Sequence, residues 1–262
     1  MSIPSLSLKD KVAIVTGSRT GIGRAIALAF AEAGAQVTVC DLIIEDGELE
    51  AAAEEVRKLG QRSLTIQADV SRKSDVENLV QKTVDEFGSI DILVNNAGVF
   101  ARAPLFETTE EVWDKVINTN LKGCYLCCQA AGRRMVEQKR GSIINITSAA
   151  GIRPIPYRAV YGTSKGAIIT LTQAFAMEVA QYQVRVNAIA PAFVRTDMFV
   201  KALKENPERA NKMVAEIPMG RVSEVSDLIG AALYLASDAS LWVTGHTLVV
   251  DGGYLAGDYV AA

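Results

Sequence analysis

"KVAIVTGSRTGIGRAIALAFAEAG", residues 11 to 34, passes from a short β-branched run through a glycine-rich turn into a stretch with helical spacing. The apolar run at 11 to 16 is continuous rather than alternating, the pattern of a strand covered on both faces. Gly17, Gly21 and Gly23 are spaced GxxxGxG and not GxGxxG, so the spacing alone is weak evidence for a nucleotide site. Position strengthens it. Glycines at a strand-to-helix turn admit positive φ and close backbone approach, and the helix that follows offers unpaired N–H groups to a pyrophosphate. The stretch predicts a strand, a phosphate cradle that includes Arg19 and Ile22, and a helix, in that order.

The same rhythm recurs outward from this point. Strand-like runs stand at 36 to 41, 63 to 69, 91 to 96, 142 to 147, 184 to 190 and 247 to 253, and between them lie helical patterns at 75 to 88, 110 to 138 and 166 to 181. Strand alternating with helix predicts a doubly wound α/β fold: a mostly seven-stranded parallel sheet with helices on both faces. No linker or compositional break divides the 262 residues, so a single domain, 1–262, is expected. Residues 191–223 depart from the rhythm. Strand and helix are joined there by an amphipathic insertion with Met198, Phe199 and Met213 on its apolar side, placed to act as a lid over a ligand beyond the strand ends.

Composition narrows the function. The net charge is −3, and no Lys or Arg run is long enough to track phosphates, which argues against nucleic acid as a partner. The N-terminal residues lack a basic then apolar leader and no apolar stretch is long enough to span a bilayer, so a soluble, cytoplasmic protein with a small-molecule substrate is expected. Cys124, Cys127 and Cys128 contain a CxxC spacing, but it lies in a helical pattern without a second ligand pair. Those residues and Cys40 read as buried small side chains, and no metal site is expected. His246, the one histidine, reads as structural or surface-exposed.

Asp41 ends the second strand, about 20 residues past the glycines, where a carboxylate can accept hydrogen bonds from both adenosine ribose hydroxyls. A 2′-phosphate would meet like charge there, so NAD is expected over NADP. Arg19 argues weakly the other way. Asp69 and Val70 after the third strand, and Asn96, Ala97 and Gly98 after the fourth, are placed to flank an adenine. In "VYGTSKGA" (160 to 167), Tyr161 and Lys165 are four residues apart and share a helical face. A phenol titrates near pH ~10, and a neighbouring ammonium or a cationic ring lowers it into the range of a useful base. Ser148 can offer a hydroxyl to a substrate alcohol or carbonyl, and Asn120 an amide that holds a water behind the lysine.

TGxxxGIG at Thr16 to Gly23, NNAG at Asn95 to Gly98, Asn120, Ser148, YxxxK at Tyr161 to Lys165 and the "VTGHTLVVDGG" ending stand in one order over nearly the whole chain. In this the chain resembles the short-chain dehydrogenase/reductase family, in its compact single-domain subgroup. The resemblance implies a Rossmann-like fold, a homotetramer and a division of labour. Tyr161 exchanges the substrate proton, Lys165 lowers its pKa and holds the nicotinamide ribose, Ser148 stabilises the developing oxyanion, and Asn120 anchors a proton relay. Val194 and Thr196 match the residues that hold the carboxamide and phosphate. One departure is visible: the family's Pro-Gly after the sixth strand is Pro191-Ala192 here.

The expected activity is hydride transfer between NAD(H) and a secondary alcohol or ketone. Substrate-site candidates are Ser148, Ala150, Ile152, Tyr157, Tyr161, Ala192 and Phe193, with Phe100 and Met198 beside them, and Arg102 and Arg153 leave room for a carboxylate or phosphate. The alternatives are an NADPH-dependent 3-oxoacyl-thioester reductase, a sugar epimerase, and a non-catalytic NAD-binding scaffold or sensor. The full acid/base set argues against the last. Leu126, Ile168, Leu171 and Phe175, on more than one face of two long helices, point to subunit packing.

Overall fold

β1 (Val12–Thr16) is buried at every position, as its nearly unbroken apolar run requires, and it lies in the interior of the sheet. The computed structural model describes residues 5–196, 199–200 and 212–257. β2 (Gln36–Asp41), β3 (Ser63–Gln67), β4 (Ile92–Asn95), β5 (Gly141–Ile146), β6 (Val184–Pro191) and β7 (Thr247–Val250) complete a seven-stranded sheet in the order β3-β2-β1-β4-β5-β6-β7. All six pairings are parallel. Val15 is in register with Val39 on one side and Val94 on the other, so the strand order reverses across β1. A parallel sheet opens a crevice at that reversal, beyond the carboxyl ends of β1 and β4.

Helices cover both faces. Ile26, Ala27 and Phe30 of α1 (Gly21–Glu32), Leu49, Ala53 and Val56 of α2 (Glu48–Lys58) and Ala232, Leu235 and Ala236 of α7 (Ile229–Ala236) pack one core. The opposite core takes Val76, Leu79 and Val80 of α3 (Lys73–Phe87), Cys127, Ala131 and Met135 of α5 (Gly123–Gln138), and Ile168 and Ala176 of α6 (Ala159–Val179). The helical pattern over 110 to 138 is one rod broken once: α4 (Glu110–Val116) passes through a π-helical turn at Ile117–Lys122 into α5. Single π turns inside helices recur at functional sites.

Two expectations need revision or placement. Leu126 and Ile168 are buried in the second core, so these two do not argue for subunit contact, while Leu171 and Phe175 pack against it and stay partly exposed. The exposed apolar residues on those helices are Trp113, Tyr125 and Met177 instead. Of the insertion, Phe199 and Met213 join Phe193, Ile217, Val222 and Tyr254 in a third small cluster beside Ala149, while Met198 lies outside the described residues. All four cysteines are buried free thiols, and burial pushes Cys40 up to about 12. His246 is exposed, and no described helix is long and apolar enough to cross a membrane.

Candidate active site

The glycine turn is built so that backbone can touch backbone. Gly17 has φ 62°, and a Cβ there would lie 2.8 Å from the Cα of Ala97, at the end of β4. A side chain would force the two strand ends apart. Thr16 fixes the same junction, its Oγ1 accepting from the N–H groups of Asn96 and Ala97 at 3.0 and 3.1 Å. Asn96 Nδ2 donates to the carbonyls of Thr16 and Gly17 at 3.0 and 2.9 Å. Its amide nitrogen therefore braces the glycine loop. Asp69 likewise accepts from the N–H and hydroxyl of Ser71 at 2.9 and 2.7 Å, bracing the turn before α3, and Val70 is buried against Gly123.

α1 then starts with no counterweight to its dipole. Thr20 at the N-cap makes no side-chain capping bond and the first turn holds no acidic residue. A helix end left this way suits a pyrophosphate. Thr196 stands over the same turn, since a Cβ on Gly21 would lie 3.5 Å from its methyl group. Val194, bridged to Ser223, and Pro191, paired with Val250 at the end of β6, carry the chain to that point, while Gly23 packs against the Gly17 carbonyl and Ile22 against the first core. Gly98 packs under the Asn120 amide.

Asp41 lies at the tip of β2, about one-fifth exposed, with one carboxylate oxygen accepting from the N–H of Ile43 at 3.1 Å. The Arg19 Nε stands 3.8 Å from that carboxylate, and Arg19 Nη1 also pairs with Asp46. The loop arginine is thus hydrogen-bonded to Asp46 and in a longer ion pair with Asp41, to which its Nε makes no hydrogen bond.

At the other end of the crevice, β5 delivers Ser148 and α6 delivers Tyr161 and Lys165. A Cβ on Gly151 would lie 2.6 Å from the Lys165 carbonyl carbon, and this contact presses the connection after β5 onto the helix that carries Tyr161. Lys165 is buried, its Nζ donating to the carbonyl of Ile146 at 2.7 Å and standing 5.8 Å from the Tyr161 ring centroid. The helical spacing does bring the pair to one face. Burial lowers Lys165 to about 8. The phenol of Tyr161 behaves differently from the sequence expectation: burial raises it, and the Ser148 hydroxyl and then the charge of Arg158 pull it back only in part. Lys165, lowered to about 8 by burial, loses its proton before the raised phenol does in the cofactor-free protein.

Asn120, buried on the π turn, has its amide fully engaged. Its Oδ1 accepts from the N–H of Val99 at 2.8 Å, and its Nδ2 donates to the Val99 carbonyl at 3.0 Å and to Ser164 Oγ at 3.1 Å. Ser164 in turn donates to the carbonyl of Tyr161 at 2.7 Å. The residue clamps the loop after β4 to the turn of α6 that bears the phenol. A relay water is left only the second lone pair of Oδ1.

Rings and guanidinium groups line the mouth. Phe100 meets Tyr161 edge-on with centroids 5.1 Å apart. Arg102 stacks on Tyr157, which has φ 66° and whose carbonyl accepts from the N–H of Ala103 at 3.0 Å. A left-handed conformation in a bulky residue stores strain, which accumulates at functional positions. Ile152 and Tyr157 are exposed here, Ala150 and Phe193 are buried, and Ala192 lies between. A cavity of about 120 Å³ adjoins Ala192 and Phe193. A larger one of about 320 Å³, between α3 and α5, touches none of the candidate residues.

Comparison with known proteins agrees with this geometry. The family described as Enoyl-(Acyl carrier protein) reductase matches residues 17–255. A crystal structure of a short-chain type dehydrogenase/reductase from Mycobacterium marinum is 36% identical, with TM-score 0.89 over 96% of this chain and 98% of that one. The chain belongs to the short-chain dehydrogenase/reductase family. It is also similar to a 3-oxoacyl-(acyl-carrier-protein) reductase, FabG, of Staphylococcus epidermidis, 40% identical over 93% of this chain and 98% of the relative. NAD+-bound xylitol dehydrogenase is 34% identical, with TM-score 0.90 over 94% of this chain and 99% of that one. Membership makes the chain an oxidoreductase that uses a nicotinamide cofactor. The open helix terminus, the glycine cradle and the strand-end carboxylate are residues that fit one.

Sequence reasoning missed Thr16 and Arg158. Thr16 could have been found as a hydroxyl at the end of a buried strand, where a polar atom needs a partner. Arg158 carries no periodic signal, since it precedes the first turn of α6.

The depressed Lys165 has a measurable consequence. Below about pH 8 both the folded and the unfolded lysine are charged and the full burial penalty applies; between about 8 and the ordinary 10.5 the unfolded chain binds more protons, so stability rises with pH. Lys165→Met is expected to abolish turnover yet raise stability near neutral pH by about 2 kcal/mol, the relieved penalty less the lost hydrogen bond. Thermal unfolding near neutrality and near pH ~10 reads this, and an equal gain at both would refute the assignment.

Proposed function

We propose that the chain is an NAD(H)-dependent oxidoreductase that interconverts a secondary alcohol and a ketone, with Tyr161 as general acid and base. The observation that carries the cofactor is Asp41 at the tip of β2, with the one nearby loop arginine already paired to Asp41 and Asp46. A 2′-phosphate at this strand end meets two carboxylates and a guanidinium they neutralise. The nicotinamide, when bound, supplies the hydride or takes it up. In oxidation Tyr161 takes the carbinol proton while the Ser148 hydroxyl holds the same oxygen; in reduction the phenol returns that proton. Lys165 would hold the nicotinamide ribose and Asn120 would fix the position of the phenol; of the lid expected at 191–223, residues 197–198 and 201–211 lie outside the described residues.

A second reading is favoured by the relatives. Those named 3-oxoacyl-(acyl-carrier-protein) reductase, at 40% identity, support reduction of a 3-oxoacyl thioester. The raised phenol agrees with the direction of that chemistry, because a protonated Tyr161 is the donor that a reductase needs. Turnover of NAD against NADP, over secondary alcohols, sugar alcohols, hydroxy acids and a 3-oxoacyl thioester, decides between the two. The first reading expects NAD to be favoured; a strong NADP preference with thioester turnover would replace it by the second.

We also propose a cytoplasmic homotetramer. Trp242, Leu241 and Val249 near β7 and Met177 on α6 are exposed apolar groups that support self-association. Sedimentation as a stable monomer at micromolar concentration would remove it.

A further inference from the structure

In the proposed mechanism Ser148 and Tyr161 meet on one substrate oxygen, yet the first comes from the end of β5 and the second from α6. Several contacts join these elements beside the site. Lys165 Nζ donates to the carbonyl of Ile146, but this bond belongs to a side chain that the mechanism gives to the nicotinamide ribose. The turn after β5 also rests on the helix, backbone against backbone. A Cβ on Gly162 would lie 2.9 Å from the Ala150 carbonyl oxygen, and one on Gly151 would lie 2.9 Å from that of Lys165. Such contacts limit how near the helix can come and do little to hold it there. The remaining contact is directional. Thr147, the residue before Ser148, donates its hydroxyl to the carbonyl of Lys165 at 2.6 Å. Thr147 is buried and its N–H donates to the Ile189 carbonyl of β6 at 2.8 Å, so this short β-branched side chain is fixed to the sheet. Lys165 lies inside α6, where its carbonyl has the helix's own N–H partner four residues on. Secondary structure therefore does not require the Thr147 bond, and valine would fill the same volume.

We propose that Thr147 is a positioning residue: its hydroxyl, bonded to the Lys165 carbonyl, sets the separation between the Ser148 and Tyr161 hydroxyls. This rests on the oxidoreductase reading above. Thr147 acts through the helix and not on the substrate itself. Loss of the hydroxyl has a steric consequence as well as a lost bond. A methyl group approaches a carbonyl oxygen only to about 3.3 Å, so a valine would press α6 away from β5 by about 0.7 Å. Tyr161 lies one turn from the displaced carbonyl and Ser148 is the next residue after Thr147, so the displacement falls on the groups that handle the proton. The adenosine end of the crevice, at β1 and β2, is left where it was. A misplacement of this order at reacting groups costs about 10- to 100-fold in rate.

Crystal structures of Thr147→Val and Thr147→Ser beside the parent read the geometry without turnover. The separation of Ser148 Oγ from Tyr161 Oη is expected to change by about half an ångström or more in Thr147→Val and to match the parent in Thr147→Ser, which keeps the donor. In turnover with NAD, Thr147→Val should lose about 10- to 100-fold in kcat with KM for NAD within about twofold, while Thr147→Ser keeps kcat within about threefold. Thermal unfolding of both variants completes the set. Thr147→Ser gives up a buried methyl group, so it should be the faster enzyme without being the more stable protein, an order that a merely structural role would not produce. If Thr147→Val prevents folding, Thr147→Ala, which lacks the donor without crowding the carbonyl, takes its place and should be slow where Thr147→Ser is active. An unchanged hydroxyl separation in folded Thr147→Val overturns the proposal, as does a serine variant as slow as the valine or alanine one. A changed separation in a protein that turns over no alcohol or ketone would sink the oxidoreductase reading and leave the role of Thr147 standing.

Discussion

Tyr161→Phe is expected to lower turnover about 10³-fold while leaving cofactor affinity within about twofold. The ring of phenylalanine preserves the edge-on contact with Phe100 and the packing of α6, so only the hydroxyl is removed. Ser148 then retains its capacity to hold the substrate oxygen but has no partner that can take or return its proton. The surviving activity should lack the pH dependence of the parent. In the parent, burial outweighs the two lowering influences on the phenol. Alcohol oxidation, which needs the ionised form, should therefore rise with pH through neutrality, whereas ketone reduction should stay level and then fall. Steady-state rates in both directions across pH, with NADH binding followed by fluorescence, check this. A phenylalanine variant that keeps both rate and pH profile would remove Tyr161 from the mechanism.

The parts of this site that could be read from sequence are those governed by local rules. A strand buried on both faces is dominated by apolar residues, so β1, β2 and β4 announce themselves, whereas β5 and β6 carry buried Ser142, Asn145, Arg185 and Asn187 among theirs. A four-residue spacing on a helix fixes Tyr161 and Lys165 to one side whatever surrounds them. The remainder depends on contacts between distant segments. Asn96 donates to carbonyls 79 and 80 residues away, a brace that no local rule announces. Leu126 and Ile168 could have faced a partner or the core; an apolar helix face fits either, and only the tertiary arrangement puts them inside. The π turn that aims Asn120 at Val99 leaves almost no trace in a hydrophobic pattern of helical period. Lys165 illustrates a subtler limit: proximity to the phenol was legible, but the Ile146 carbonyl that takes up its ammonium was not.

The cofactor choice carries the other large effect. Asp41→Ser is expected to reduce kcat/KM with NAD by about 10- to 100-fold, the value of one or two charge-assisted hydrogen bonds to ribose hydroxyls, and to raise it with NADP. The two changes have separate causes. Serine keeps a weak acceptor for the ribose, so NAD loses affinity without being excluded, while the like charge that repels a 2′-phosphate is gone. Arg19 then supplies the gain. Its guanidinium is hydrogen-bonded to Asp46 and in a longer ion pair with Asp41, and loss of the latter leaves it to be shared between Asp46 and an incoming phosphate. Asp41→Ser combined with Asp46→Asn should therefore favour NADP more than the single change, by an amount that declines as salt screens the arginine–phosphate attraction. Comparing kcat/KM for the two cofactors in the parent, the single variant and the double variant, at low and at high salt, tests each step. If the ratio in the single variant equals that of the parent, the carboxylate at the tip of β2 is not where the two cofactors are told apart.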